Sequence, residues 1–469
     1  MRRKIAICWF RQDLRLSDNP ALLAAGEAES VLPLYILDTI NPDRDLMGSA
    51  SKVWLHHSLK SLNQSLDGKL WIEKGDPSEV IKRLIDTYPV EAVYWGRCYE
   101  PWRIKRDEKI KAYLTKSNVE VKSFNNALLW EPWEIKKDDS SPYKVFTPFF
   151  RKGCLNYAPP REPLDPPKKL NIFQNSLSKS IDDLKLLPSI RWDKSLMQHW
   201  TIGEAHAQDR FSKFLGIGIG NYKEGRNYPS DHFVSRLSPH LHFGEVSPNQ
   251  LWYGAKHAGE NKNIDHFCSE LGWREFSYSQ LYNNPNLSTR NLQSKFDSFP
   301  WIKNETNLIA WKRGLTGVPM VDAGMRELWQ TGYMHNRSRM IVGSFLVKNL
   351  LIDWREGERW FWDTLCDADL ANNSAGWQWI AGCGADAAPY FRIFNPVTQG
   401  EKFDPDGKYV RTYIPELAKV PNKYLFCPWE APKEILDAAD VKLGETYPEP
   451  IVDLKISRER ALSAFKSLS

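Results

Sequence analysis

From Lys4 to Phe124, short apolar blocks alternate with longer amphipathic ones. Lys4–Phe10 (KIAICWF), Val31–Leu37 (VLPLYIL), Lys69–Glu73 and Ala92–Trp95 read as strands, with a last one at Val119–Phe124. Ser51–Leu66 instead sets Val53, Leu55, Leu59, Leu62 and Leu66 close to the helical period. Asp76-Pro77-Ser78-Glu79 is a helix start: the Asp caps, the Pro fits the first turn, and the Glu can reach back. Alternating strands and helices predict an α/β domain with a doubly wound parallel sheet over residues 1–130. The pattern lapses at Ala158–Arg191, rich in Pro, Lys and Ser (APPREPLDPPKKL), so residues 131–200 read as a mostly irregular connector. From Ile202 helical patterns dominate. Pro319–Thr331 (PMVDAGMRELWQT) has Pro at its start and Gly332 just past its end, and Met340–Leu351 is strongly apolar. Residues 201–469 are therefore expected to be mostly α-helical.

A chain of 469 residues exceeds one ordinary core, which agrees with two domains and a connector. Its 42% hydrophobic and 26% charged residues are those of a soluble globular protein, and a net charge of +5 leaves room only for a local basic face. Tryptophan stands out, with 20 residues. A bulky aromatic core is the plain explanation. Trp360-Phe361-Trp362 and Trp377-Gln378-Trp379 also suggest stacking on a flat ligand, or electron hopping, and Trp301–Lys402 is the block where this is densest. The seven Cys form no CxxC pair, which speaks against a zinc site and for reduced thiols in a cytoplasmic setting. The apolar run after the basic opening MRRK is too short for a signal peptide, and no run reaches membrane-spanning length.

Several polar groupings could carry chemistry. Gly216-Ile217-Gly218-Ile219-Gly220 lacks the third Gly of a dinucleotide loop, since Asn221 stands there, and is expected to be a flexible turn. His240-Leu241-His242 and His56-His57 have no acidic or Cys partner at ligand spacing and read as satisfied histidines, not metal ligands. Val234-Ser235-Arg236-Leu237-Ser238 precedes a helix and reads equally as a phosphate cradle or a simple cap. Glu270, Trp273 and Arg274 share a helical face, which could hydrogen-bond and stack a nucleobase, or could bury Trp273 beside a Glu–Arg ion pair. His335-Asn336-Arg337-Ser338-Arg339 is either a run of surface arginines or a phosphate or ring-edge site. Asp367 to Trp379 (DADLANNSAGWQW) packs two carboxylates, two amides, small residues and two Trp together, without the His that a metal site would favour.

Taken in order, these motifs resemble the photolyase/cryptochrome family of blue-light flavoproteins. The likeness runs through WFRQDLRLSDNP (Trp9–Pro20), YKVFTPF (Tyr143–Phe149), Ser235–Ser238, WREF (Trp273–Phe276), His335-Asn336-Arg337 and FRIFNP (Phe391–Pro396). It is strongest toward bacterial cyclobutane pyrimidine dimer photolyases, and Glu270–Tyr278 with GMRELWQTGYMHN (Gly324–Asn336) is similar to their class III branch.

The resemblance implies a Rossmann-like antenna domain, a connector, and a helical domain holding FAD. Tyr222 and Val234, Ser235, Arg236, Leu237 and Ser238 would follow the flavin's phosphates. Arg339, Asp367, Asp369 and Asn373 would surround its ring, with Asn373 near the reactive nitrogen and Asn336 on the same side. The implied activity is light-driven repair of pyrimidine dimers in UV-damaged DNA; a monomer with no membrane attachment is the default expectation. Glu270 would bond the flipped-out bases, Trp273 and Trp379 would wall them, and Met340 would pack beneath. Arg226, Arg274, Arg337, Arg392 and Lys402, with Glu270, Trp273 and Asn336, would form the DNA side. Trp377, Trp354 and Trp301 match an electron-transfer chain, which leaves Trp311, Trp329, Trp360 and Trp362 as expected core. Val234 stands where many relatives carry Thr, losing one hydroxyl donor, about 1 kcal/mol. Pro101-Trp102-Arg103 stands where some folate-binding relatives carry Asn-Glu, so the antenna would be a methenyltetrahydrofolate held differently, or a deazaflavin. A cryptochrome photoreceptor, a (6-4) photolyase and a non-catalytic flavin module are the rival functions.

Overall fold

The computed structural model describes every residue except 1–3, 43–44, 174–177, 388–390 and 469. The basic opening residues and part of the connector thus lie outside the described residues. The chain divides into two compact units, one formed by Met1–Gly220 with Ser235–Pro285, the other by Asn221–Val234 with Asn286–Ser469.

The first unit is built on five strands, β1 (Ile5–Phe10), β2 (Ser30–Asp38), β3 (Trp71–Gly75), β4 (Val90–Gly96) and β5 (Glu120–Phe124). They lie in the order β3-β2-β1-β4-β5, every neighbouring pair parallel. The connecting helices are α1 (Pro20–Ala25), α2 (Ser49–Ser65), α3 (Pro77–Thr87) and α4 (Pro101–Lys116). This is the expected doubly wound sheet. β1 is buried along its whole length, as a central parallel strand must be, which is why its sequence reads as an unbroken apolar run. Pro33 is tolerated inside β2 because pairing with β3 begins only at Leu34, where Leu34 meets Trp71. Asp76 caps α3 by accepting from Ser78 N at 2.9 Å, and Pro77 takes the first turn. At the switch point between β1 and β4, where such sheets hold ligands, Arg11 pairs with Asp107 at 2.5 Å and Arg106 with Asp38 at 2.9 Å.

Past β5, the described part of Ala158–Arg191 is irregular apart from a single bridge of Ile172 to Val31 and a tight turn at Asp182–Leu184. The turn expected at Gly216–Gly220 is instead helical, wide at Phe214–Gly218 and tight at Ile219–Asn221. The long helix Lys262–Asn283 closes the first unit. Its Glu275 is buried and accepts from Leu129 N (2.9 Å) and Trp130 N (3.2 Å), fastening the chain just after β5.

The second unit is helical. Its main helices are Glu305–Arg313, Pro319–Thr331, Asn336–Ser344, Trp354–Thr364, Leu370–Ala381, Pro396–Phe403 and Leu454–Lys466. They surround one apolar core that includes Trp311, Phe345, Leu346, Trp354 and Trp377. The stretch Met340–Leu351 is not one helix: the wide turn Phe345–Asn349 follows Ser344, and Leu351 adopts φ 52°. Gly332 ends Pro319–Thr331 in the left-handed conformation, φ 65°, which a glycine reaches without strain. No helix among the described residues is long and apolar enough to cross a membrane.

Burial raises the Glu275 pKa from 4.5 to about 7, against Arg274 and the Trp130 and Leu129 amides, which lower it. A carboxyl with a raised native pKa binds extra protons in the folded state, so its contribution is complete below pH 4.5 and lost as pH rises through about 7. Glu275→Gln should remove that slope, worth at most about 3 kcal/mol. Parallel stability–pH curves for wild type and variant across this window, from denaturant titrations, would contradict the assignment.

Candidate functional site

In the first unit, Glu270, Trp273 and Arg274 lie on the helix Lys262–Asn283. Glu270 lies 3.6 Å from His266 one turn earlier, whereas Arg274 pairs with Glu275 at 3.2 Å and donates to the Ala127 carbonyl at 2.7 Å. Arg274 is therefore turned into the fold. The Trp273 ring stacks on Phe146 at 3.8 Å with 11° between planes, and Phe146 stacks in turn on Phe150. One face of Trp273 is thus covered, and the ring is only partly buried.

Ser235–Ser238 leads into the short helix Ser238–His242, whose N-cap residue Leu237 makes no side-chain cap bond. The simple cap is therefore not formed. Arg236 takes φ 52°, and its guanidinium lies 4.8 Å from the Trp200 ring. Val234 falls in the other unit. His240 has an acidic partner that its spacing did not suggest: Nδ1 is 2.5 Å from Glu245, which also accepts from Trp54 Nε1. His56 is not satisfied. Its ring nitrogens are buried without hydrogen bonds, and burial, then Lys60 and His57, push its pKa down to about 4; Asp182 opposes this and Arg191 adds to it. Among the described residues no three His, Cys, Asp or Glu side chains are placed to hold a metal ion.

In the second unit, His335 caps the helix Asn336–Ser344 by accepting from Arg337 N. Arg337 donates to Asn227 and lies 4.1 Å over the Phe403 ring, on which Lys402 also sits at 5.2 Å. Burial and then the neighbouring Arg226 lower the Arg337 pKa, so like charges converge here. Asn336 is exposed, its amide 4.0 Å from Met340 sulfur. Arg339 donates to the Met334 carbonyl (2.8 Å) and to Asp367 (2.7 Å). Burial disfavours its charge, but Asp367 outweighs burial and raises its pKa. The other Asp367 oxygen is buried with no hydrogen-bond partner among the described residues.

Asp369 caps the helix Leu370–Ala381 by accepting from Asn372 N at 2.8 Å. Asn373 donates to the Glu358 carbonyl at 3.0 Å, and Ser374 donates to the Glu358 carboxylate. Inward, the Trp377 ring presses on Gly357, where a Cβ would stand 2.1 Å away. Outward, a Cβ on Gly376 would meet nothing within 4 Å, so the helix face between Asn373 and Trp379 is open. Trp379 is held by Nε1 donating to the Asp386 carbonyl at 3.0 Å.

The tryptophans divide. Trp354 and Trp377 are buried and Trp301 is partly buried against the same core. Ile302 N bonds to the Leu351 carbonyl at 2.7 Å, which brings the Trp301 segment beside the start of the Trp354 helix. Trp311 is core, as expected, and Trp360 and Trp362 pack on it in part. Trp329 is not core. It is 66% exposed and stacks on Trp360 with 1° between planes, because its position lies on the solvent face of Pro319–Thr331. Glu358, Asn227 and Phe403 were missed in the sequence. Nothing in their local patterns marks them, since each acts through a partner distant in the chain.

Asp367→Asn should leave the Arg339 charge without its counter-ion and cost about 3 kcal/mol of stability. Urea unfolding checks this, and a loss below about 0.5 kcal/mol would mean the pair is not the buried anchor described.

A family model described as DNA photolyase matches residues 6–168, and one described as FAD binding domain of DNA photolyase matches residues 267–467. The chain is 47% identical to a deoxyribodipyrimidine photo-lyase of Agrobacterium fabrum, over 98% of this chain and 98% of that protein. It is 36% identical to Cryptochrome-1 of Arabidopsis thaliana, over 99% of this chain and 70% of that protein. The crystal structure of a bacterial class III photolyase from Agrobacterium tumefaciens aligns with a TM-score of 0.95 at 46% identity, covering 100% of this chain and 98% of that one.

Proposed function

Because the chain belongs to the photolyase/cryptochrome family, we propose that it is a deoxyribodipyrimidine photo-lyase that repairs cyclobutane pyrimidine dimers in UV-damaged DNA with light. The observation that carries the DNA side of this reading is the convergence of Arg337 and Lys402 on the Phe403 ring, with Arg226 near enough to lower the Arg337 pKa and no carboxylate pairing Arg337 among the described residues. Like charges gathered in this way favour a polyanion, and with Arg392 they would bind phosphates without reading sequence.

The residues present fit FAD: Asp367 keeps one buried oxygen without a partner among the described residues, a polar anchor, and Gly376 leaves its helix face open to close approach. Tyr222, Val234 through Ser238, Asn336, Arg339, Asp367, Asp369 and Asn373 would hold it. Bound there, reduced FAD would supply light-driven one-electron chemistry to the dimer. Glu270 would accept hydrogen bonds from the flipped-out bases, and Trp273, backed by Phe146, would offer its remaining face as a wall. Trp379 would form another aromatic wall, with Met340 beneath. Trp301, Trp354 and Trp377 would carry electrons inward to restore the reduced cofactor. Residues 1–130 would form the antenna domain, 131–200 the connector and 201–469 the catalytic domain. The antenna would be a folate held without the Asn-Glu pair, or a deazaflavin. The protein would act as a cytoplasmic monomer.

The reduced protein, illuminated with a dimer-containing oligonucleotide, should restore the thymines. Intact dimers after illumination, with the flavin still reduced, would reject the repair reading and leave a cryptochrome-like photoreceptor. Glu270→Ala should weaken dimer binding about tenfold and lower repair yield. Its flavin absorbance should stay, and loss of flavin would make Glu270 structural instead.

A further inference from the structure

The helix Asn336–Ser344 runs into the wide turn Phe345–Asn349, a rare geometry that gathers at functional sites. The turn carries one charged side chain, Lys348, which is 3% exposed among apolar neighbours. A buried ammonium is costly without a partner. Among the described residues Lys348 has no carboxylate; its Nζ donates to the backbone carbonyl of Arg392 and lies 4.5 Å from the Phe391 ring. Burial and then the Arg392 charge lower its pKa to about 7, with Cys383 acting in the opposite sense. Ser344, four residues earlier on the same helical face, accepts from Phe394 N at 3.1 Å. Between these anchors Phe391 and Phe394 are buried and Arg392 is exposed. Phe391 also stacks on Phe465 at 4.8 Å. The segment is thus pinned by two hydrogen bonds and two aromatic rings, with the arginine as its outward tooth.

We propose that Lys348 is a positioning residue for DNA binding, which holds the Arg392 backbone from inside the core, together with Ser344, so that the exposed guanidinium is presented to a DNA phosphate. This rests on the reading of Arg392 as a phosphate contact. An apolar side chain at 348 would fill the same volume but leave the Arg392 carbonyl without a donor. A segment fixed before binding loses less conformational freedom when DNA arrives, and the gain is in affinity, not in the light-driven step.

The test uses full-length flavin-loaded protein with Lys348→Met, Ser344→Ala and Arg392→Ala. Three quantities are measured: affinity for a dimer-containing duplex across a salt series, flavin absorbance, and repair rate at saturating DNA. Lys348→Met should raise the dissociation constant about tenfold and Ser344→Ala about threefold. Repair at saturation should move by less than about twofold, a split between binding and turnover that general loosening of the fold would not produce. Arg392→Ala should lower the salt slope by about one charge, and Lys348→Met should do the same although its amine is too buried to touch DNA. The proposal is overturned if Lys348→Met and Ser344→Ala lower thermal stability or flavin content while the folded protein keeps its affinity. Should Lys348→Met fail to fold, Ser344→Ala decides alone, and unchanged affinity overturns the proposal. Unchanged affinity in Arg392→Ala would show instead that the phosphate reading of Arg392 had failed.

Discussion

The Trp377 ring lies against the backbone of Trp354–Thr364 at Gly357, where any Cβ would stand 2.1 Å from the ring. Much of the second unit's site follows from this contact. With Trp377 pressed inward, Asn373 and Ser374, one turn earlier, meet Glu358, the residue after Gly357. The adjoining face of Leu370–Ala381, at Gly376, is then turned to open space. The Asp369 cap sets the start of that helix, and Asp367 just before it reaches Arg339 on the neighbouring helix. A side chain at 357 would push Trp377 away and, with it, the register of every polar residue on the helix. Close-packed cores transmit such shifts because they have little free volume to absorb them.

The α/β half was legible because each of its rules is local. Parallel strands buried on both faces read as apolar runs, and β1 to β5 fall within two residues of the expected positions at nearly every boundary. Asp76-Pro77 and Pro319 with Gly332 mark helix ends by stereochemistry that needs no distant partner. What was not legible depends on contacts far along the chain. Arg337 finds Asn227 110 residues away, and Arg274 finds the Ala127 carbonyl 147 residues away. Arg274 also pairs with the neighbouring Glu275, and Glu270 lies beside His266. The turn at Phe345–Asn349 was hidden for another reason: its residues are almost all apolar, and a helix and a wide turn bury such residues equally well.

Net charge concealed the basic surface. A total of +5 spread over 469 residues says nothing of where charges gather. The structure sets Arg337 and Lys402 over one aromatic ring with the Arg226 charge nearby, and the Phe403 π-face offsets part of the repulsion between the two cations it carries. Tryptophan abundance misled in the opposite direction, since one count covered several roles. Burial separates Trp354 and Trp377 from the exposed Trp329, a distinction that composition cannot make.

Two buried ionisable groups solve one problem with opposite charge. A loop that enters a core still has to satisfy its backbone donors and acceptors. Where the loop after β5 offers two N–H groups, the helix beside it supplies the carboxylate of Glu275. Where the segment at Arg392 offers a carbonyl, the turn beside it supplies the amine of Lys348. In each case burial moves the pKa toward neutrality, upward for the acid and downward for the base. Lys348 also serves a surface residue the proposed chemistry needs, since it holds the backbone of Arg392. Irregular backbone lets side chains be aimed where no helix or strand would point them, and a buried ionisable anchor makes that aim rigid. Replacing either anchor by an apolar residue of similar volume would leave the packing largely intact and the aim lost. On this argument, the cost of burying charge at these two positions is borne for orientation, not for stability.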